Sequence, residues 1–263
     1  MRFDIISIFP ESFTAYFGVS MLKRAQEDGL IEIHTHSLRD FAYDKHQTVD
    51  DTPYGGGAGM LLKVEPLAEA IETVSLPTGQ AGSQQLTINS QPASTRGSSS
   101  TRGGQLAINS QQKTKNKVLK TRTIFFSAKG KTFTQADARR LAQYERLILV
   151  CGRYEGVDER VAEHLVDEEL SIGDYVLTGG ELPAMVVVDA VARLLQGVLG
   201  NSESAETESH TSLGVVEYPQ YTKPETFRGW RVPAVLTSGH HGEIAKWREA
   251  QSKKMSKKRN ATK

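Results

Sequence analysis

The sequence predicts an α/β fold on a parallel sheet, with ligand-binding loops along the carboxyl edge of that sheet. Three observations predict it. The first forty residues read as strand, helix, strand. The apolar segments Thr121–Ser127 and Leu147–Cys151 each end in a polar, glycine-bearing turn that leads into a helical pattern. Within Leu147–Leu195, two glycine turns follow one another, Gly152-Arg153-Tyr154-Glu155-Gly156 and Gly179-Gly180. Glycines at two neighbouring strand ends suit a ligand held mainly by backbone groups.

Each element has its own signal. Phe3–Phe9 is apolar and stops at Pro10, as a buried strand would. Glu11–Phe17 and Ser20–Asp28 suit short helices, the second closed by Gly29. Leu30–Ser37 alternates Ile31, Ile33 and Thr35 with polar residues and reads as a second strand. Asp44–Met60 is polar and carries Gly55, Gly56, Gly57 and Gly59. It lacks the lysine and Ser/Thr of a phosphate loop, and His46 with Asp44 and Asp50 makes no recognised metal-ligand spacing. A helix over Val64–Val74 begins near Pro66.

From about 78 to 117 the composition falls to Gln, Ser, Thr, Gly and Asn, with an imperfect repeat of Gln85–Gln91 at Gln105–Gln111. Such a segment buries too little to offset its ordering entropy, so a disordered insertion is expected there. After the strand at Thr121–Ser127, Ala128–Lys131 turns away and Thr134 can cap a helix reaching Tyr144. A strand from Leu147 follows, with Cys151 as a small core residue, then a helix from Asp158 through Leu165. A short acidic connection leads to the apolar segment Ser171–Leu177, and a helix from Pro183 carries Val187, Val191, Leu194 and Leu195 on one face. It ends near Gly197. Residues 200–216 form a polar linker, and 217–263 a small, mainly helical part that is marginal alone and must dock on something.

Composition narrows the function classes. The chain has 263 residues, enough for one substantial domain with a small appendage. One cysteine excludes an internal disulfide framework and any multi-cysteine zinc site, and fits a reducing compartment. Asp4 interrupts what a signal peptide would need, and no apolar run approaches the roughly 20 residues that span a bilayer. A soluble cytoplasmic protein without a membrane partner is expected. The net charge of +1 hides an asymmetry, because residues 78–120 and 250–263 each hold six basic residues and no acid. The rest of the chain is strongly acidic. Basic segments on an acidic body fit a polyanionic partner, or solvated charge alone.

Several long motifs in one order carry a family likeness: Asp44–Met60, Cys151–Arg160, Ser171–Pro183, Gly197-Val198-Leu199-Gly200 and Tyr218–Pro224. With these, the chain resembles bacterial tRNA (guanine-N1)-methyltransferases of the SPOUT class. The resemblance implies a parallel sheet with a deep C-terminal trefoil knot in a domain over 1–199, a linker over 200–216, and a small C-terminal tRNA-binding domain over 217–263. It implies S-adenosylmethionine held in a bent form by Phe126, Ser127, Gly152, Tyr154, Ile172, Gly173, Asp174, Tyr175, Val176, Leu177, Gly179 and Gly180. Simple core packing is an equal reading for Ile172, Val176 and Leu177.

The substrates implied are tRNAs with guanosine at position 37, beside the anticodon, methylated on N1. That nitrogen is protonated at neutral pH, so the reaction calls for a base near N1 and a donor near O6. The resemblance places the donor at Arg193 and the base on the linker. There this chain has Glu208 where the family usually has aspartate, with Glu206 and His210 as rivals. Glu155 is a candidate for holding Mg²⁺ through water, or for pairing with Arg153 or Arg160. The likeness further implies an obligate homodimer, with the linker and C-terminal part of one chain reaching the other's cofactor. Alternative readings are a knotted methyltransferase acting on another RNA, and a non-catalytic RNA-binding relative.

Overall fold

Five strands form the central sheet, and each is parallel to its neighbours. The computed structural model describes residues 1–76, 119–200, 208–210 and 214–261. The strand order is β2-β1-β6-β5-β7, with β1 at Arg2–Ser7, β2 at Glu32–Ser37, β5 at Thr121–Thr132, β6 at Arg146–Cys151 and β7 at Glu168–Ser171. Between β1 and β2 lie a 3₁₀ turn at Pro10–Phe13 and the helices α1 (Thr14–Phe17) and α2 (Ser20–Glu27). The short strands β3 (Asp50–Asp51) and β4 (Leu61–Leu62) pair antiparallel and bracket the glycine-rich stretch. The remaining helices of this body are α3 (Val64–Ser75), α4 (Gln135–Leu141), α5 (Glu159–His164) and α6 (Glu181–Ala192).

Strand periodicity divides the core into two apolar layers. In β6, Leu147, Leu149 and Cys151 join Val187, Val188 and Val191 of α6, whereas Ile148 and Val150 join Leu67, Ala70 and Ile71 of α3. All six residues of β6 are buried, as expected of a central parallel strand covered on both faces. The caps follow the sequence: Thr134 and Asp137 make a reciprocal capping box on α4, and Asp158 accepts from the Arg160 backbone at the start of α5.

At the amino edge of the sheet Asp4 is fully buried. It receives Arg2 and Arg146 at 2.7 Å and His36 at 2.8 Å. Burial pushes its carboxyl up, but the hydrogen bonds from His36, Arg2 and Arg146 prevail and hold it well below the usual carboxylate range.

Three boundaries differ from the sequence reading. β5 does not end at Ser127; it bulges after Phe126 and pairs again with β7 at Lys131 and Thr132. The expected turn survives as that bulge, because a Cβ on Gly130 would meet the Glu169 carbonyl carbon at 2.7 Å. The acidic connection is partly strand β7. Its Glu168 is neutralised by Arg122 at 3.0 Å and Arg140 at 2.7 Å, so an edge strand tolerates a charge that made it look like a loop. Finally, α6 starts at Glu181 and stops at Ala192, short of Gly197. Pro183 fits in its first turn, where no intrahelical N–H bond is lost.

The C-terminal stretch has little core of its own. It contains a two-strand ribbon, β8 (Thr226–Phe227) with β9 (Trp230–Arg231), then α7 (Ala234–Thr237) and α8 (His241–Ala261). Neither helix buries a side chain. Ser252 donates to the Val216 carbonyl at 2.6 Å and the Val216 N–H donates to Ser256 at 2.9 Å, which ties the stretch after Gly214 to α8. The insertion expected at about 78–117 and most of the linker lie outside the described residues. No helix among the described residues is long and apolar enough to cross a membrane.

Candidate active site

The carboxyl ends of β5, β6 and β7 open into one cleft of about 580 Å³. Such edges gather ligands because parallel strands present their loops on one side. Phe126 and Ser127 arrive from β5, Gly152, Tyr154 and Glu155 from the turn after β6, and Ile172, Gly173, Tyr175, Val176, Leu177, Gly179 and Gly180 from the loop between β7 and α6. Asp174 lies on that last loop outside the cleft lining.

The two glycine turns are fastened to each other. The Gly180 N–H donates to the Gly152 carbonyl at 2.9 Å. A Cβ at Gly180 would sit 2.7 Å from the Cys151 Cα, so no side chain fits at this crossing. Tyr154 holds a left-handed φ of 61°, a conformation that non-glycine residues adopt at some cost in free energy. The glycine-rich stretch before β4 closes in from the side, since the Glu155 N–H donates to Met60 O at 3.1 Å and the Leu62 N–H to Gly156 O at 3.0 Å. Val176 is 86% exposed and Tyr175 54%, so the lip of the cleft presents apolar groups to solvent. Cys151 is buried behind it, and burial, then the charge of Glu181, pushes its thiol well above the usual range.

Arg193 and Glu208 are brought together, but elsewhere. Arg193 Nη1 and Nη2 donate to Glu208 Oε2 and Oε1 at 2.5 and 2.6 Å. The bidentate hydrogen bonds from Arg193 hold the Glu208 carboxyl below the usual glutamate range, against the small opposing push of burial. Gly180 caps the start of α6 and Arg193 its end, so a helix of about 18 Å separates the cleft from this pair. Beside Arg193, the outer face of α6 leaves a shallow apolar groove of about 480 Å³ lined by Tyr16, Leu182, Met185, Val186, Asp189 and Ala190. Tyr16 donates to Asp189 across it.

Of the two rivals to Glu208, Glu206 falls outside the described residues, and the His210 ring accepts from Arg259 at 2.7 Å. Glu155 reaches the cleft, but no three His, Cys, Asp or Glu side chains converge as metal ligands among the described residues. Glu159 also lines the cleft, where it is paired with Lys129, so two carboxylates and no cage are present among the described residues. Sequence reasoning missed Arg153, Lys129 and Pro183 in the cleft lining. Arg153 and Pro183 stand inside the glycine motifs, whose sequence marks the turns but not which neighbouring side chains line the cleft.

With this geometry in place, the family is decided by comparison. The family model described as tRNA (Guanine-1)-methyltransferase TrmD matches residues 1–101 and 103–262. The chain belongs to this family. Similar proteins named tRNA (guanine-N(1)-)-methyltransferase include one from Dehalococcoides mccartyi, 46% identical over 259 residues, covering 98% of this chain and 88% of that protein. One from Desulforamulus reducens is 48% identical over 253 residues, with 96% and 84% covered. One from Chloroflexus aggregans is 49% identical over 251 residues, with 95% and 82% covered.

Proposed function

We propose that this tRNA (guanine-N1)-methyltransferase family member transfers a methyl group from S-adenosylmethionine to N1 of guanosine 37 in tRNA, within a homodimer. The observation that carries the reading is the placement of a glycine-lined cleft and an arginine–carboxylate pair at opposite ends of α6.

A cleft of about 580 Å³ is in the usual size range for small-molecule sites. Its glycine turns leave N–H and C=O groups free of side-chain cover, which suits adenine and ribose. The fastening of Gly180 to Gly152 fits loops of a trefoil knot, the topology we propose for this region. When bound, S-adenosylmethionine would supply an electrophilic methyl carbon, its bond to sulfur breaking in the transfer so that the sulfonium leaves as a neutral thioether. Everything else falls to the chain. Glu208 takes the proton from guanine N1 and Arg193 donates to O6 as negative charge gathers there, which makes N1 nucleophilic. Paired with Arg193, Glu208 is a weak base. Substrate O6 competes for the guanidinium and returns the carboxylate toward its ordinary basicity.

Since α6 holds Arg193 far from the cleft of its own chain, a second copy must supply the cleft that Arg193 and Glu208 serve. The uncovered apolar face of α6, with Leu182 57% and Val186 43% exposed, supports burial against that copy. The exposed α8, with Lys253, Lys254, Lys257, Lys258 and Arg259, suits the phosphates of an anticodon stem-loop. Among the described residues, Glu155 and Glu159 are the carboxylates lining the cleft that could hold Mg²⁺, and no step here is routed through it. The deciding experiment is methyl transfer to unmodified tRNA carrying guanosine or adenosine at position 37, run beside sedimentation analysis. Transfer to the guanosine form by a dimer is expected. Equal transfer to both forms, or full activity in a monomer, would overturn the respective part of the reading.

A further inference from the structure

One guanidinium in the cleft stands in surroundings built to hold it. Arg153 Nε donates to Glu181 Oε2 at 3.0 Å, and its guanidinium carbon lies 4.8 Å from the centroid of the Phe9 ring. Its backbone bridges to Gly179. Glu181 is 4% exposed, and its other oxygen accepts from Ser7 Oγ at 2.6 Å. Ser7 Oγ accepts in turn from the Phe9 N–H at 3.0 Å. The end of β1, the turn after β6 and the start of α6 thus meet on one buried carboxylate.

A buried carboxylate is costly unless it is paired and hydrogen-bonded, and Arg153 meets that need with Nε alone. The two terminal nitrogens of Arg153 have no hydrogen-bond partner among the described residues, and the residue lines the cleft. Pinned at Nε and stacked on Phe9, the guanidinium has lost most of its rotamer freedom. Its outer edge is a fixed fork of the kind that matches two oxygens of one anion.

We propose that Arg153 is the anion receptor of the cleft, with Glu181 and Phe9 as positioning residues. Its free edge takes an oxyanion of a bound ligand, either the carboxylate of the methyl donor or a phosphate of the RNA. This rests on the methyl-transfer reading above and adds a subsite to it.

Calorimetric titration of the full chain tests it, with S-adenosylmethionine, its decarboxylated analogue and a tRNA anticodon stem-loop as probes. The variants are Arg153→Gln, Arg153→Lys (which keeps the charge but removes the fork) and Glu181→Gln. If the anion is the carboxylate, S-adenosylmethionine affinity falls roughly tenfold or more in both Arg153 variants. The decarboxylated analogue then binds every protein alike. If it is a phosphate, the donor binds unchanged, stem-loop affinity falls, and the slope of log affinity against log salt shrinks by about 0.7 to 0.9. Glu181→Gln moves the same ligand in the same direction by a smaller factor. Unchanged affinity for both ligands in both Arg153 variants, with cooperative unfolding retained, overturns the proposal. Should Arg153→Gln fail to fold, Arg153→Lys decides. A wild-type chain that does not bind S-adenosylmethionine would instead overturn the methyl-transfer reading itself.

Discussion

The two ends of α6 carry two kinds of site. At its start, the cleft is made of backbone. Gly152 and Gly180 are bonded to each other, Cys151 is packed behind them, and Glu181 is buried beneath. At its end, Arg193 and Glu208 are side chains that are each 29% exposed and held chiefly by each other. The first site is inseparable from the core, so changing it disturbs the fold. The second is lightly attached, so it can open for a substrate and changing it should cost chemistry alone. The difference teaches where the rigidity lies, in the backbone-built cleft and not in the side-chain pair at the far end of α6.

Variants at the two ends can break that contrast. The largest effect is expected for Glu208→Gln, which should lower single-turnover methyl transfer by about 10²- to 10⁴-fold, the usual worth of a general base. S-adenosylmethionine affinity should be unchanged in calorimetry. Near-normal turnover would remove Glu208 from the base role. Next comes Gly180→Ala, whose Cβ would meet backbone at 2.7 Å. It should lower unfolding free energy by about 1 to 3 kcal/mol in denaturant titration and abolish donor binding as the loops part. A variant of wild-type stability that still binds the donor would show that the crossing is looser than the geometry requires.

The smallest effect on stability is expected for Arg193→Gln. The pair is partly exposed, so its loss should cost under about 1 kcal/mol of stability. The Glu208 carboxyl should rise toward its ordinary value of about 4.3, measurable by carboxyl ¹³C NMR titration. The sign follows from a folded pKa held low. The pair's contribution is present above the ordinary glutamate pKa and disappears as pH falls through the lower folded value. A large loss of stability at neutral pH would make the far end of α6 as structural as the near one.

Much of this was readable from residues alone, and the failures are instructive. The buried strand Leu147–Cys151 declared itself because a central parallel strand is apolar on both faces. Thr134 and Asp158 were recognisable as helix starts because capping is a local hydrogen bond. β7 was read as a connection because its Glu168 is neutralised by Arg122 and Arg140, which lie 46 and 28 residues away in sequence. Arg153 stood only as a possible partner for Glu155, because its actual surroundings are Glu181, Phe9 and Ser7, residues that no sequence window places beside it. Asp174, by contrast, was included with its loop, although it lies outside the cleft lining.

The sequence by itself determined the α/β class, the positions of the glycine turns and the family motifs, since each depends on local periodicity or on residue types within a few positions. Only the tertiary structure decided that Gly180 and Gly152 touch, that Glu181 binds Ser7 and Arg153 together, and that Arg193 stands a helix length from the cleft. The physical reason is range. Hydrophobic period and capping act over one or two turns of chain, whereas a site that joins three strand ends, and proposedly two subunits, depends on how distant segments pack.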